Sequence, residues 1–189
     1  MEIQLLRVRD GQTIDASLLP LNDQHLSDFE TFWKNRLLSS DEEDAYWDWN
    51  KKNRLYASDA NYEKYAITCQ QITQGLMMLE ARGHRSWFEP NRRLVYVDYL
   101  ATAPWNRPSI QNPPEYRSVG GILLKFARHR SEELGYGGLV GLHALPRAKK
   151  FYDKMGMIDC GEDPEKQNLT YFEWYRQRPP VTELVEQFE

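Results

Sequence analysis

A strand that runs into a glycine-bearing turn, which at once opens a helix, constrains this chain more than any other feature. Leu94–Ala103 is an extended run, rich in β-branched and aromatic residues and nearly continuous in apolarity. That is the pattern of a strand covered on both faces. After a connection comes Tyr116-Arg117-Ser118-Val119-Gly120-Gly121-Ile122-Leu123-Leu124, and a helical pattern extends from Val119 to Leu134. The first N–H groups of a helix have no intrahelical partner, and the positive end of the helix dipole lies on them. Glycine lets such a backbone approach a phosphate closely. The arrangement points to a phosphate-bearing ligand held by main chain. The turn is neither Gly-x-Gly-x-x-Gly nor a Lys-Ser/Thr phosphate loop. Taken alone, a glycine pair could equally begin a tightly packed helix.

The rest of the chain sets the scale. Its 189 residues suit one domain with its own core. A net charge of −4 leaves no general nucleic-acid footprint. No apolar segment approaches the roughly 20 residues that span a bilayer, so no membrane partner is expected. Cys69 and Cys160 form neither a metal-ligand cluster nor a disulfide framework, so no metal is expected. Met1–Asp10 lacks the apolar core of a signal peptide; a cytoplasmic location is the default expectation.

Periodicity gives the order of elements. Glu2–Arg9 alternates and ends in Asp10-Gly11, a hairpin signal, and Thr13–Leu19 returns. Asn22 or Asp23 caps a helix carrying Leu26, Phe29, Phe32, Trp33 and Leu37. The acidic link Asp41–Asp44 precedes a second helix with Tyr46, Trp47, Trp49 and Leu55. Tyr65–Gln71 and Thr73–Ala81 read as strands. The prolines of Ala103–Glu115 forbid regular structure there. Gly138–His143 is a strand, Pro146 opens a helix that Gly156 ends, and Met157–Cys160 and Leu169–Tyr175 form a last strand pair. The fold class is therefore α/β of the mixed α+β kind: a single domain over 1–189, with a central, mostly antiparallel twisted sheet of about seven strands flanked by about four helices. Residues 1–16 add an N-terminal hairpin, 104–115 form an inserted proline-rich loop, and 179–189 form a tail expected to be helical.

Three stretches in this order carry a resemblance. Leu100-Ala101-Thr102, then Arg117-x-x-Gly120-Gly121, then Ala148-x-x-Phe151-Tyr152-x-x-x-Gly156-Met157 together resemble the GNAT N-acetyltransferase superfamily over roughly Ser17–Tyr175. The resemblance implies acetyl-CoA as co-substrate. It implies that the backbone of Val119, Gly120, Gly121 and Ile122 holds the pyrophosphate, with Arg117 nearby. It further implies that Leu100, Ala101 and Thr102 pair with the pantetheine arm, and that Tyr152 protonates the departing thiolate. The chain departs from the family at Ile122, where Gly or Ala is usual, and at Leu145, where an asparagine is frequent. It also departs at the insertion Trp105–Pro114, beside the expected cofactor mouth; Trp105, Asn106 and Arg107 are candidates for substrate contact, and Trp105 equally for anchoring the proline-rich loop to the body.

Acetyl transfer to an amine needs a base, a stabilised carbonyl oxygen and a protonated leaving thiolate. Asp98 stands inside an apolar strand, where a carboxylate must be paired, solvated by a cleft or raised in pKa. It is the first candidate for the base, Glu80 the second and His143 the third; a water relay and structural roles stay open for each. The acceptor expected is a primary amine on a small molecule, peptide or protein, with Asp41–Asp44 suited to a cation. Two other readings remain open. One is a non-catalytic acyl-CoA-binding module. The other is an interaction protein, including a homodimer, using the aromatic helices Phe29–Leu55 and the tail Val181–Glu189.

Overall fold

The computed structural model describes residues 1–175; the tail expected over 179–189 lies outside the described residues. Nine strands make one sheet in the order β6-β1-β2-β3-β4-β5-β7-β9-β8. The strands are β1 (Glu2–Arg7), β2 (Thr13–Pro20), β3 (Tyr62–Cys69), β4 (Ile72–Glu80), β5 (Val95–Thr102), β6 (Tyr116–Arg117), β7 (Val140–Ala144), β8 (Ile158–Asp163) and β9 (Leu169–Trp174). The count exceeds the expected seven in part because the N-terminal hairpin joins the sheet and because Tyr116–Arg117 pairs with β1. Two residues are too short a run for any alternation to be read.

Helices cover both faces. α1 (Asp23–Asp28) and α2 (Lys34–Leu38) run on through a π-helical turn, Phe29–Trp33, as one rod. Asn22 caps it reciprocally with His25. The π turn leaves both Phe29 and Trp33 buried. α3 (Trp49–Leu55) begins later than expected because Asp48 accepts from the Lys51 N–H at 2.8 Å and so fixes the cap there. α4 (Val119–Glu133) is the long helix, and α5 (Lys149–Lys154) follows a 3₁₀ turn at Pro146–Ala148. α4 and α5 pack with Val95, Val97, Leu142 and Phe172 on one face. The α1–α3 segment packs with Ala66, Leu76, Met78 and Ala101 on the other. Phe29, Trp33, Leu37 and Trp49 are spent in that second core, whereas Phe32, Leu38, Tyr46 and Leu55 of the same segment stay exposed.

Two irregularities place the site. Every neighbouring pair is antiparallel except β5 with β7, which is parallel and registers only Val95 with Val140 and Tyr96 with Gly141. Beyond Tyr96 the two strands part and leave a notch. In β5 the register also shifts: Met78 pairs with Tyr99 and Leu79 with Val97, so Asp98 is the extra residue of a β-bulge. Among the described residues no helix is long and apolar enough to cross a membrane.

Candidate active site

A cleft of ≈ 700 Å³ opens where the β5–β7 notch meets the start of α4. Leu100, Ala101 and Thr102 line it from β5, Arg117 to Gly121 from the turn, and Leu145, Arg147, Phe151 and Tyr152 from the far side. Ser118 enters α4 in the left-handed conformation, at φ 69°, and no side chain caps the helix. That geometry turns successive N–H groups toward one point, as in an anion-binding nest. The Ile122 N–H donates to the Ser118 carbonyl at 2.8 Å; of the four expected pyrophosphate donors, Val119, Gly120 and Gly121 are the ones left.

The glycines have different reasons. A Cβ on Gly120 would lie 3.3 Å from Phe151 and 3.5 Å from Thr102, so it would begin to fill the cleft. A Cβ on Gly75 would lie 2.8 Å from Val119 and 2.9 Å from Leu123, so that glycine is what lets α4 settle on β4. The missing side chain at Gly120 thus keeps the cleft open between β5 and α5.

Tyr152 is buried and lines the cleft. Burial, then the nearby charge of Asp44, pushes its phenol well above the ordinary tyrosine value, with no hydrogen bond among the causes. It stays protonated through the physiological range and can serve as a donor.

The three candidate bases sit at the other side of the sheet. The bulge turns Asp98 to the side of Tyr62, whose hydroxyl donates to Asp98 Oδ2 at 3.1 Å. Burial raises the Asp98 pKa, while Tyr62, Lys52 and Lys166 oppose the shift. Glu80 accepts from Asn61 at 2.7 Å and bonds His84 at 3.0 Å. His143 bonds the Tyr96 hydroxyl at 2.7 Å and Asp163 at 2.9 Å. Burial lowers its pKa, against the pull of Asp163. Glu80 and His143 thus have two partners each, whereas Asp98 accepts a single hydrogen bond from Tyr62.

The inserted loop is fastened inward. The Trp105 indole donates to Gln74 at 2.7 Å, and Asn106 donates to the same oxygen at 3.0 Å while accepting from the Tyr116 N–H. Arg107 donates to both oxygens of Asp44, at 2.6 and 2.7 Å, to Glu42 at 2.9 Å and to the Thr102 carbonyl at 2.9 Å. Asn106 and Arg107 still border the cleft. Part of the acidic segment is engaged: Glu42 and Asp44 share the guanidinium of Arg107, and Glu43 accepts from the Arg147 N–H. It is a clasp in which two carboxylates share one guanidinium, so the segment keeps an excess of negative charge. Gln74, Tyr62 and Lys52 were not singled out by the sequence, because only pairing across the sheet and the α3 contact bring them here. No group of three or more metal-ligating side chains occurs among the described residues.

Solved structures share this fold. The Bacillus subtilis N-acetyltransferase YlbP, in complex with coenzyme A, is 14% identical with TM-score 0.53 over 85% of this chain and 95% of that one. Spermidine N-acetyltransferase from Vibrio cholerae, in complex with CoA and spermine, is 16% identical with TM-score 0.51 over 84% and 92%. The GNAT domain of S. lividans PAT is 14% identical with TM-score 0.55 over 92% and 96%. No protein-family profile and no curated protein sequence matches the chain. The fold of this chain is the GNAT fold.

Proposed function

We propose that the protein is an acetyl-CoA-dependent N-acetyltransferase that acetylates a primary amine of a small molecule, peptide or protein by direct attack on the thioester. The observation that carries this reading is the convergence, in one cleft, of an uncapped α4 N-terminus, an opened strand pair and a protonated tyrosine. The coenzyme A bound by neighbours of the same fold supports it. The N–H groups of Val119, Gly120 and Gly121 hold the pyrophosphate, and Arg117 adds charge at the mouth. The backbone of Leu100–Thr102, freed from β7, pairs with the pantetheine arm, as a strand edge pairs with any extended chain. An N–H in the same notch faces the carbonyl oxygen as it gains charge.

Asp98 takes the proton of the attacking amine. Its raised pKa makes it a better base than an ordinary carboxylate. Tyr152 gives its proton to the thiolate as the carbon–sulfur bond breaks. Holding both substrates in the notch supplies much of the remaining rate. The test is calorimetric titration with acetyl-CoA, followed by an amine screen. The parent binds and turns over. Gly120→Glu, checked by circular dichroism for a retained fold, does not bind. Tyr152→Phe binds normally with a lowered kcat. Binding with no turnover of any amine would favour the non-catalytic acyl-CoA module; no binding by the folded parent would end both readings.

A further inference from the structure

Across the notch from the α4 turn, aromatic rings already hold an ammonium group. Lys52 extends from α3, and its Nζ lies 3.3 Å from the centre of the Tyr99 ring and 5.0 Å from that of Trp47. Those two rings meet edge to face at 5.1 Å, and Trp49 lies 6.4 Å from Tyr99. The bulge in β5 sets Asp98 beside Tyr99 without a partner in β4, and Asp98 is the carboxylate whose charge acts most strongly on Lys52. Aromatic faces with a carboxylate nearby recognise an alkylammonium ion.

The Lys52 ammonium is poorly satisfied there. Burial draws its pKa down to about 8, and no hydrogen bond opposes that shift. By contrast, Lys64 nearby donates to the backbone and side-chain oxygens of Asn53, both at 2.9 Å. A half-buried cation held by rings and distant charge alone is costly to keep, so a cation that reaches Asp98 directly can replace it. The aromatic group stands on the face of the sheet opposite the one where Leu100 packs with the α4 core. Tyr99 adjoins Leu100, which lines the cleft from the same strand.

We propose that Trp47, Tyr99 and Asp98 form the subsite for the alkylammonium group of the acceptor, and that Lys52 fills it as an internal stand-in the acceptor displaces. The lysine specifies the ligand: a primary amine on an unbranched alkyl stem. Amine binding at this subsite is independent of the acetyltransferase reading, whereas the proton transfer after it rests on that reading. Once Lys52 has swung out, Asp98 lies beside the incoming amine and receives its proton.

The test is titration with n-butylamine, without acetyl-CoA, of the parent, Lys52→Ala and Lys52→Gln. Removing an internal competitor raises the fraction of open sites, so both variants bind about tenfold more tightly than the parent. Trp47→Ala in the Lys52→Ala background returns the affinity to the parent's or below. Equal affinity in the parent and both Lys52 variants overturns the proposal. Acetylation of n-butylamine is measured separately. Tightened binding with no transfer by any variant removes the enzyme reading and leaves the box. Transfer with no gain in binding removes the box and leaves the enzyme.

Discussion

At the scale of single residues, Asp98 shows how a charge is tolerated in an apolar strand. The bulge gives it no cross-strand partner and sends it to the Tyr62 side. Its folded pKa lies above the ordinary carboxylate value, with burial the leading cause. Such a group binds its proton more tightly folded than unfolded, so stability falls as pH rises from the unfolded value through the folded one. Asp98→Asn is therefore expected to melt at a higher temperature than the parent at neutral pH. The difference should vanish in acid, where the parent's carboxyl is protonated in both states. Parent turnover should fall as pH drops through the raised pKa, and the Asn variant should lose about 10²–10⁴ in kcat. A variant that melts lower and turns over normally would exclude Asp98 as the base. Arg107 is the opposite case, a buried charge matched by two carboxylates and a carbonyl. Removing it strands Asp44 in the interior. Arg107→Met should cost about 3–5 kcal/mol in urea unfolding. Arg107→Lys should recover only part of that loss, since an ammonium cannot make the bidentate pair. A loss under 1 kcal/mol in Arg107→Met, on the order of a surface pair, would show the clasp to be open to solvent.

At the scale of elements, the strand–turn–helix unit was legible because each part carries its own local signal. The apolar run marks β5, the glycines mark the turn, and the 3.6-residue period marks α4. The start of α3 was misplaced because Tyr46 and Trp47 continue an aromatic pattern, whereas the Asp48 cap decides where the helix begins. β6 was missed because its two residues are a strand only by virtue of β1. The seat of α4 on β4 depends on Gly75, which no local pattern marks. Gly75→Ala should overpack that contact at a cost of about 1–3 kcal/mol, seen as a lowered thermal midpoint. Because the shift lifts the first turn of α4, affinity for acetyl-CoA should fall with it. Unchanged affinity in a destabilised variant would mean that the turn is held from the α5 side instead.

Across the whole molecule, the sheet is continuous but unevenly joined. Between β5 and β7 only two residue pairs register, at Val95 and Tyr96; α4 packs against both strands and α5 joins the same core. The notch is thus a built opening in an otherwise complete sheet. Hydrogen exchange followed by mass spectrometry should show acetyl-CoA protecting residues 98–102 and 118–122, with the β1–β2 hairpin unaffected. Protection confined to the face that carries Phe32 and Arg36 would place the ligand elsewhere. The order of strands and helices, the strand–turn–helix unit and the candidacy of Asp98 were determined by the sequence alone, because periodicity, turn chemistry and a carboxylate in an apolar run are local properties; the candidacy of Tyr152 came from the family resemblance of the segment around it. Only the tertiary structure decided that Glu42 and Asp44 clasp Arg107, that Trp105 and Asn106 fasten a loop to Gln74, and that Lys52 lies against aromatic rings. Those outcomes depend on which distant residues the parting of β5 from β7 and the bulge at Asp98 bring together. Contacts between residues far apart in the chain leave no period or spacing to read.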